Sequence, residues 1–132
     1  FVCNRVSRKD GHHVFVTAKL LNPTTLAEVK MLISSFHAIP QLLNLPSAPT
    51  NPIQLVETID TSKHLWADGE TFPQQVEPSK DLRAGMAITV GNLQQIEPDV
   101  ISFEAYSHNT IRGAAGGVVL LAELALNEGY LD

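Results

Sequence analysis

Between residues 12 and 21 apolar and polar positions alternate. Val14, Val16, Ala18 and Leu20 fall on one side, and His13, Phe15, Thr17 and Lys19 on the other. This period of two is that of a strand with one face on a core. Residues 1–6 read as a shorter strand before it. The segment between them ends in Asp10-Gly11, a tight-turn signal, so the two strands are expected to pair as a hairpin. Asn22-Pro23 stops the second strand. Thr25 and Glu28 then have the spacing of a capping box, in which each side chain satisfies the other residue's backbone N–H. Leu26, Val29, Ile33 and Phe36 follow at helical spacing, with Met31 and Leu32 beside them, and predict an amphipathic helix over 26–36.

Residues 39–52 hold Pro40, Pro46, Pro49 and Pro52. Each proline removes a backbone donor, so no regular helix or central strand is expected there. A strand over 53–59 follows, then an irregular excursion over 60–82. A loop of that length is expected to be functional, mobile or wrapped on a neighbour. The β-branched run 86–90 lies between Gly85 and Gly91 and predicts a strand. So does 99–106, where Val100, Ser102, Glu104 and Tyr106 alternate with Ile101, Phe103 and Ala105. Residues 109–127 predict the last helix. Hairpin-like neighbours and segregated helices point to an α+β layer, not a doubly wound parallel sheet.

The 132 residues are about one domain's worth, enough for a single core. A formal net charge of −5 argues against nucleic acid, whose phosphates need a surplus of Lys and Arg. No apolar run reaches the ~20 residues that span a bilayer, and no signal-peptide pattern opens the chain. Membrane association is therefore not expected. With Cys3 the single cysteine, no internal disulfide can form, which fits a reducing, cytoplasmic compartment. Phe1 opens an apolar run that reads as a strand already under way. The chain is thus expected to begin inside a larger protein, whereas residues 127–132 read as a natural C-terminus.

Two constellations can carry chemistry. In Asn4-Arg5-Val6-Ser7-Arg8-Lys9-Asp10-Gly11-His12, an arginine precedes a histidine by seven residues across a tight turn. Arginine offers a rigid fork of donors for a carboxylate or phosphate, and histidine a proton near neutral pH. On the residues alone, a solvated basic turn with an ordinary surface histidine accounts for the pattern more readily. The second is Ser107-His108-Asn109-Thr110-Ile111-Arg112-Gly113-Ala114-Ala115-Gly116-Gly117. Glycine inside a helix costs ~1 kcal/mol relative to alanine, so three of them imply close approach of another element or of a flat ligand. The Gly-x-Gly-x-x-Gly spacing of a dinucleotide loop is absent. His12, His13, His37, His64 and His108 include no helical i, i+4 pair, and a metal site is not expected. Cys3, in its apolar run, reads as a buried thiol more readily than as a nucleophile.

Taken together, these segments resemble one family. Asn4-Arg5-Val6 with Asp10-Gly11-His12 resembles the turn of aspartate-semialdehyde dehydrogenases of the archaeal and fungal branch, with the same arginine-to-histidine spacing. Leu45-Pro46-Ser47-Ala48-Pro49 with Asn51-Pro52-Ile53 is similar to that branch's proline-rich loop. Gly85-Met86-Ala87-Ile88-Thr89-Val90-Gly91 is similar to its penultimate core strand, and 107–117 to its C-terminal helix. The resemblance covers nearly the whole chain, in the same order. It implies the C-terminal catalytic and dimerisation portion of the family's fold. That is a mixed, largely antiparallel sheet with helices on one face, like the C-terminal domain of glyceraldehyde-3-phosphate dehydrogenase. Residues 1–106 would form this domain. Residues 107–132 would form a helix returning to an NADP-binding Rossmann domain, with Gly113 to Gly117 permitting tight packing on it.

The resemblance also assigns roles. Arg5 would bind the substrate carboxylate, His12 would be the general acid/base, and Asn109 would contact the nicotinamide end of NADP. In the family a cysteine thiolate adds to the aldehyde, hydride passes to NADP, and phosphate releases the thioester as β-aspartyl phosphate, in the biosynthesis of lysine, threonine and methionine. Cys3 does not match that cysteine, so the chain alone is expected to be inactive. The implied partners are a small-molecule substrate and further copies of the chain, as a dimer or tetramer. Three departures stand out. Phe72-Pro73-Gln74-Gln75-Val76 lacks two arginines usual in that stretch. Asn92 stands where an arginine commonly follows the strand's final glycine. Arg8 and Lys9 replace apolar residues. These leave two alternatives open: a related reductase of CoA thioesters of the malonyl-CoA type, and a non-catalytic dimerisation or interaction domain.

Overall fold

The computed structural model describes residues 4–131. Its elements are β1 (His12–Lys19), α1 (Leu26–Ser34), α2 (Ile39–Leu42), β2 (Ile53–Leu55), β3 (Ile88–Glu97), β4 (Val100–Ser107), a π-helical turn (Ile111–Ala115) and α3 (Gly116–Asn127). The strands form one sheet in the order β1-β4-β3-β2. β1–β4 and β3–β4 are antiparallel and β2–β3 is parallel. The expected mixed, largely antiparallel α+β sheet is therefore present.

The expected first hairpin is not seen among the described residues. Residues 1–3 and the Cys3 reading lie outside the described residues, and Asn4, Arg5 and Val6 are exposed and not in a strand. β1 instead pairs with β4 over eight residue pairs, from His12↔Ser107 to Lys19↔Val100. That partner offers a long alternating strand. The charged 7–10 segment instead folds into a local turn, Arg8 N–H to Val6 C=O at 2.8 Å.

The capping box forms as expected. Thr25 Oγ1 accepts from Glu28 N–H at 3.2 Å, and Glu28 Oε2 accepts from Thr25 N–H at 2.8 Å. These bonds satisfy two of the first turn's orphan donors and fix the start of α1. α1 ends at Ser34, two residues early, and Val29 is its buried residue. The proline-rich stretch does contain one helical turn, α2. It places Pro40 in the first turn, where a missing N–H costs nothing. Gln41 secures it by accepting from Ala38 N–H and donating to Pro49 C=O, both at 3.1 Å. β2 stops at Leu55, well short of residue 59.

The irregular excursion lies over the middle of the sheet. Ala87 N–H donates to Ala67 C=O at 3.0 Å and Tyr106 Oη to Thr61 C=O at 3.2 Å. A Cβ on Gly91 would come within 2.8 Å of Ile59 Cγ1, so this glycine admits the excursion against β3. Met86, Ala87 and Thr89 are completely enclosed there, with Val90, Ile101, Tyr106 and Ala67 around them. This core anchors the strand ends that lead to the candidate site.

Candidate functional site

The pairing of His12 with Ser107 brings the start of β1 to the end of β4. Gly11 immediately precedes His12 and has φ +108°, which a glycine adopts freely and L side chains rarely do. A Cβ at Gly11 would fall into the Tyr106 ring, 2.8 Å from Cζ, so the turn lies flat on β4. Asn109 closes the corner: its Oδ1 accepts from Gly11 N–H at 2.7 Å, across 98 residues of sequence. Because a backbone N–H can only donate, this bond fixes the carboxamide's orientation. Asn109 therefore presents its Nδ2 as the remaining donor.

His108 supports Asn109 from behind. It is only 2% exposed. Its ring meets Trp66 edge-on at 4.3 Å, and its Nδ1 lies 3.2 Å from Thr110 Oγ1. Gly85, at φ +76°, leaves the room: a Cβ there would stand 3.3 Å from His108 Cβ. Among the described residues, His108 Nε2 has no hydrogen-bond partner. Burial pushes the imidazole below its ordinary pKa, partly opposed by the negative charge of Asp10. The His108 carbonyl then accepts from Arg112 N–H at 2.9 Å, opening the π-helical turn. That widened turn was not expected; a regular helix over 109–127 was.

The glycine run divides into different environments. A Cβ on Gly116 would lie 2.5 Å from Met86 Sδ, so this residue packs against the chain's own core. Gly113 has no atom within 4 Å of a built Cβ and faces open space. Ser47 ties α3 to the proline-rich loop, donating from N and Oγ to the Glu123 carboxylate at 3.0 and 2.7 Å.

Of the predicted site residues, the structure thus joins Asn109 to the turn that carries His12. His12 and Arg5 are both exposed. No hydrogen bond or ion pair links Arg5 to His12 or Asn109 among the described residues. A second polar cluster lies one residue further along β1. His13 Nε2 is 2.9 Å from Glu104 Oε2, and Asn92 Nδ2 donates to Glu104 Oε1 at 2.7 Å. Asn92 has φ 50°, a conformation asparagine tolerates better than most residues. The sequence pattern names His108, His13 and Asn92 singly but does not bring them, Tyr106 or Glu104 together. Alternation marked Tyr106 and Glu104 as facing one way, but nothing local paired them with Gly11 or His13. Among the described residues, no group of three His, Cys, Asp or Glu side chains can hold a metal ion.

The sheet, the corner and the terminal helix define an α+β domain built on a mixed, largely antiparallel sheet. The structure of aspartate-semialdehyde dehydrogenase with NADP from Candida albicans superposes with a TM-score of 0.66, at 22% identity, over 92% of this chain and 31% of that one. In sequence the chain is 32% identical over 133 residues to aspartate-semialdehyde dehydrogenase of Trichophyton rubrum, and 34% over 128 residues to that of Methanothermobacter thermautotrophicus. It is 36% identical over 129 residues to malonyl-CoA reductase (NADP) of Metallosphaera sedula. These alignments take in 96–98% of the chain but only 33% of each relative, so the chain spans about a third of the length of the proteins it matches. No family model matches. The chain is thus related, over nearly its whole length, to one third of the aspartate-semialdehyde dehydrogenase polypeptide.

Proposed function

We propose that this chain is the C-terminal catalytic and dimerisation portion of an NADP-dependent aspartate-semialdehyde dehydrogenase. In this reading the complete protein interconverts aspartate semialdehyde plus phosphate with β-aspartyl phosphate, in the cytoplasm. The observation that carries the reading is the joining of the His12 turn to Asn109, in a chain with 32–34% identity to such enzymes. Arg5 binds the substrate carboxylate through its guanidinium fork. His12 moves the proton at the reacting oxygen or thiol. Asn109 offers the free Nδ2 donor to a carbonyl acceptor of the nicotinamide, and open Gly113 leaves space beside it. Bound NADP would supply the hydride acceptor. Residues 107–132 reach back to the cofactor's main domain. In support, Val118, Val119, Leu121 and Leu126 of α3 are all exposed, and a helix apolar around its circumference calls for a neighbour on more than one side. Further copies of the chain complete a dimer or tetramer.

Reduction of a malonyl-CoA-type thioester is the second reading. It is favoured by the 36% identity to malonyl-CoA reductase and by the missing arginines around residues 72–76. Substrate choice separates the two. The complete protein is expected to oxidise aspartate semialdehyde with NADP in a phosphate-dependent reaction, and to leave malonyl-CoA and NADPH unchanged. The 132 residues alone are expected to show no turnover. The reverse preference would replace the first reading with the second.

A further inference from the structure

We propose that Asn109 is a positioning residue for His12: its Oδ1 latches the Gly11 amide and so fixes the turn from which β1 presents the histidine. This role is separate from the contact with cofactor and rests on the reading of His12 as the acid/base. Three observations carry it. The latch is a 2.7 Å bond to the residue directly before His12. Apart from the Tyr106 ring under Gly11, the turn it holds is tied down little: among the described residues, 4–6 lie in no strand and the 7–10 segment is charged and mostly exposed. The base of the latch, by contrast, is fixed. His108 is enclosed between Trp66 and Gly85, and its carbonyl opens the π-helical turn. The His12↔Ser107 pairing holds the histidine's backbone on the β4 side. The latch holds the chain one residue earlier, where Gly11 turns at φ +108°.

Asparagine suits this place because it serves two directions at once. Oδ1 faces a donor of the protein, and Nδ2 is left for a ligand. An aspartate keeps the acceptor and loses the outward donor, whereas an alanine loses both. The two substitutions therefore separate positioning from binding.

The test combines exchange of the Gly11 amide with steady-state kinetics, both in the complete protein. In N109A the Gly11 amide should exchange roughly 5-fold faster, as expected for one lost exposed hydrogen bond, and kcat should fall roughly 10- to 100-fold as His12 moves off its geometry. N109D should retain the slow Gly11 exchange and recover much of that kcat, with its deficit appearing in KM for NADP. Equal Gly11 exchange in wild type and N109A would overturn the latch. So would an N109D protein that keeps the slow exchange yet loses as much kcat as N109A. If the wild-type complete protein has no dehydrogenase activity, the dehydrogenase reading fails. The exchange data still judge the latch by themselves.

Discussion

His108 shows at the scale of a single residue how the corner depends on its surroundings. The ring is enclosed, one nitrogen faces Thr110, and the other has no partner among the described residues. A buried polar atom without a partner costs about 1–3 kcal/mol. Placing a charge on the ring would cost more, which is why burial depresses its pKa below the ordinary 6.5 despite Asp10. The sign follows from linkage. The unfolded chain takes up a proton as pH falls through about 6.5, while the folded chain resists it until lower pH. His108 therefore leaves stability undiminished above this range and lowers it progressively as pH falls below it. Thermal unfolding of the chain should show Tm declining from pH 7 to pH 5.5, and H108N should flatten that decline. Part of it should remain, because burial also depresses His64. An identical decline in H108N would mean that His108 is not the group responsible. None of this could be read from the sequence, where His108 is one histidine among five; its enclosure comes from Trp66 and Gly85, far away in the chain.

Among the elements, the ones legible in the sequence are those whose pattern is local. The alternation of β1 and β4 and the Thr25–Glu28 cap each involve neighbours within a few residues, and each appears close to where it was expected. Pairing is not local. Asp10-Gly11 signalled a turn, and a turn is present, but β1 runs away from it to lie on β4. β3 continues to Glu97 although Asn92, Gln94, Gln95 and Glu97 break the apolar run. Its extension rests on antiparallel bonds to β4, shifted in register after Gly91. The glycine run leading into α3 signals close approach, and Gly116, the first residue of α3, shows it. Its missing side chain admits Met86, which is wholly enclosed. G116A should therefore destabilise the chain by about 1–3 kcal/mol through overpacking, despite alanine's better helix propensity. Chemical denaturation would measure this. A stabilised G116A variant would show that Met86 swings aside freely and that the glycine serves another purpose.

Seen whole, the chain exposes more apolar surface than its size explains. Leu21, Met31, Leu32, Phe36, Leu42, Val118 and Leu121 are each more than half exposed. An apolar groove of about 630 Å³ opens between α1 and the sheet, lined by Leu20, Val29, Leu32, Ile33, Ile101 and Phe103. No helix among the described residues is long and apolar enough to cross a membrane. Surfaces of this kind belong to proteins that bury them against a neighbour. That agrees with a chain spanning a third of its relatives and with the proposed oligomer. The site was legible at this scale only as four motifs in a familiar order; their spatial meeting, Asn109 on Gly11, emerged from the fold. Everything proposed about activity converges on His12. The most direct measurement is kcat/KM of the complete protein and of its H12A variant, with aspartate semialdehyde, NADP and phosphate. Loss of an acid/base group should lower it by roughly 10²- to 10⁴-fold, with folding unchanged by circular dichroism. A folded H12A protein as active as wild type would contradict the role assigned to His12.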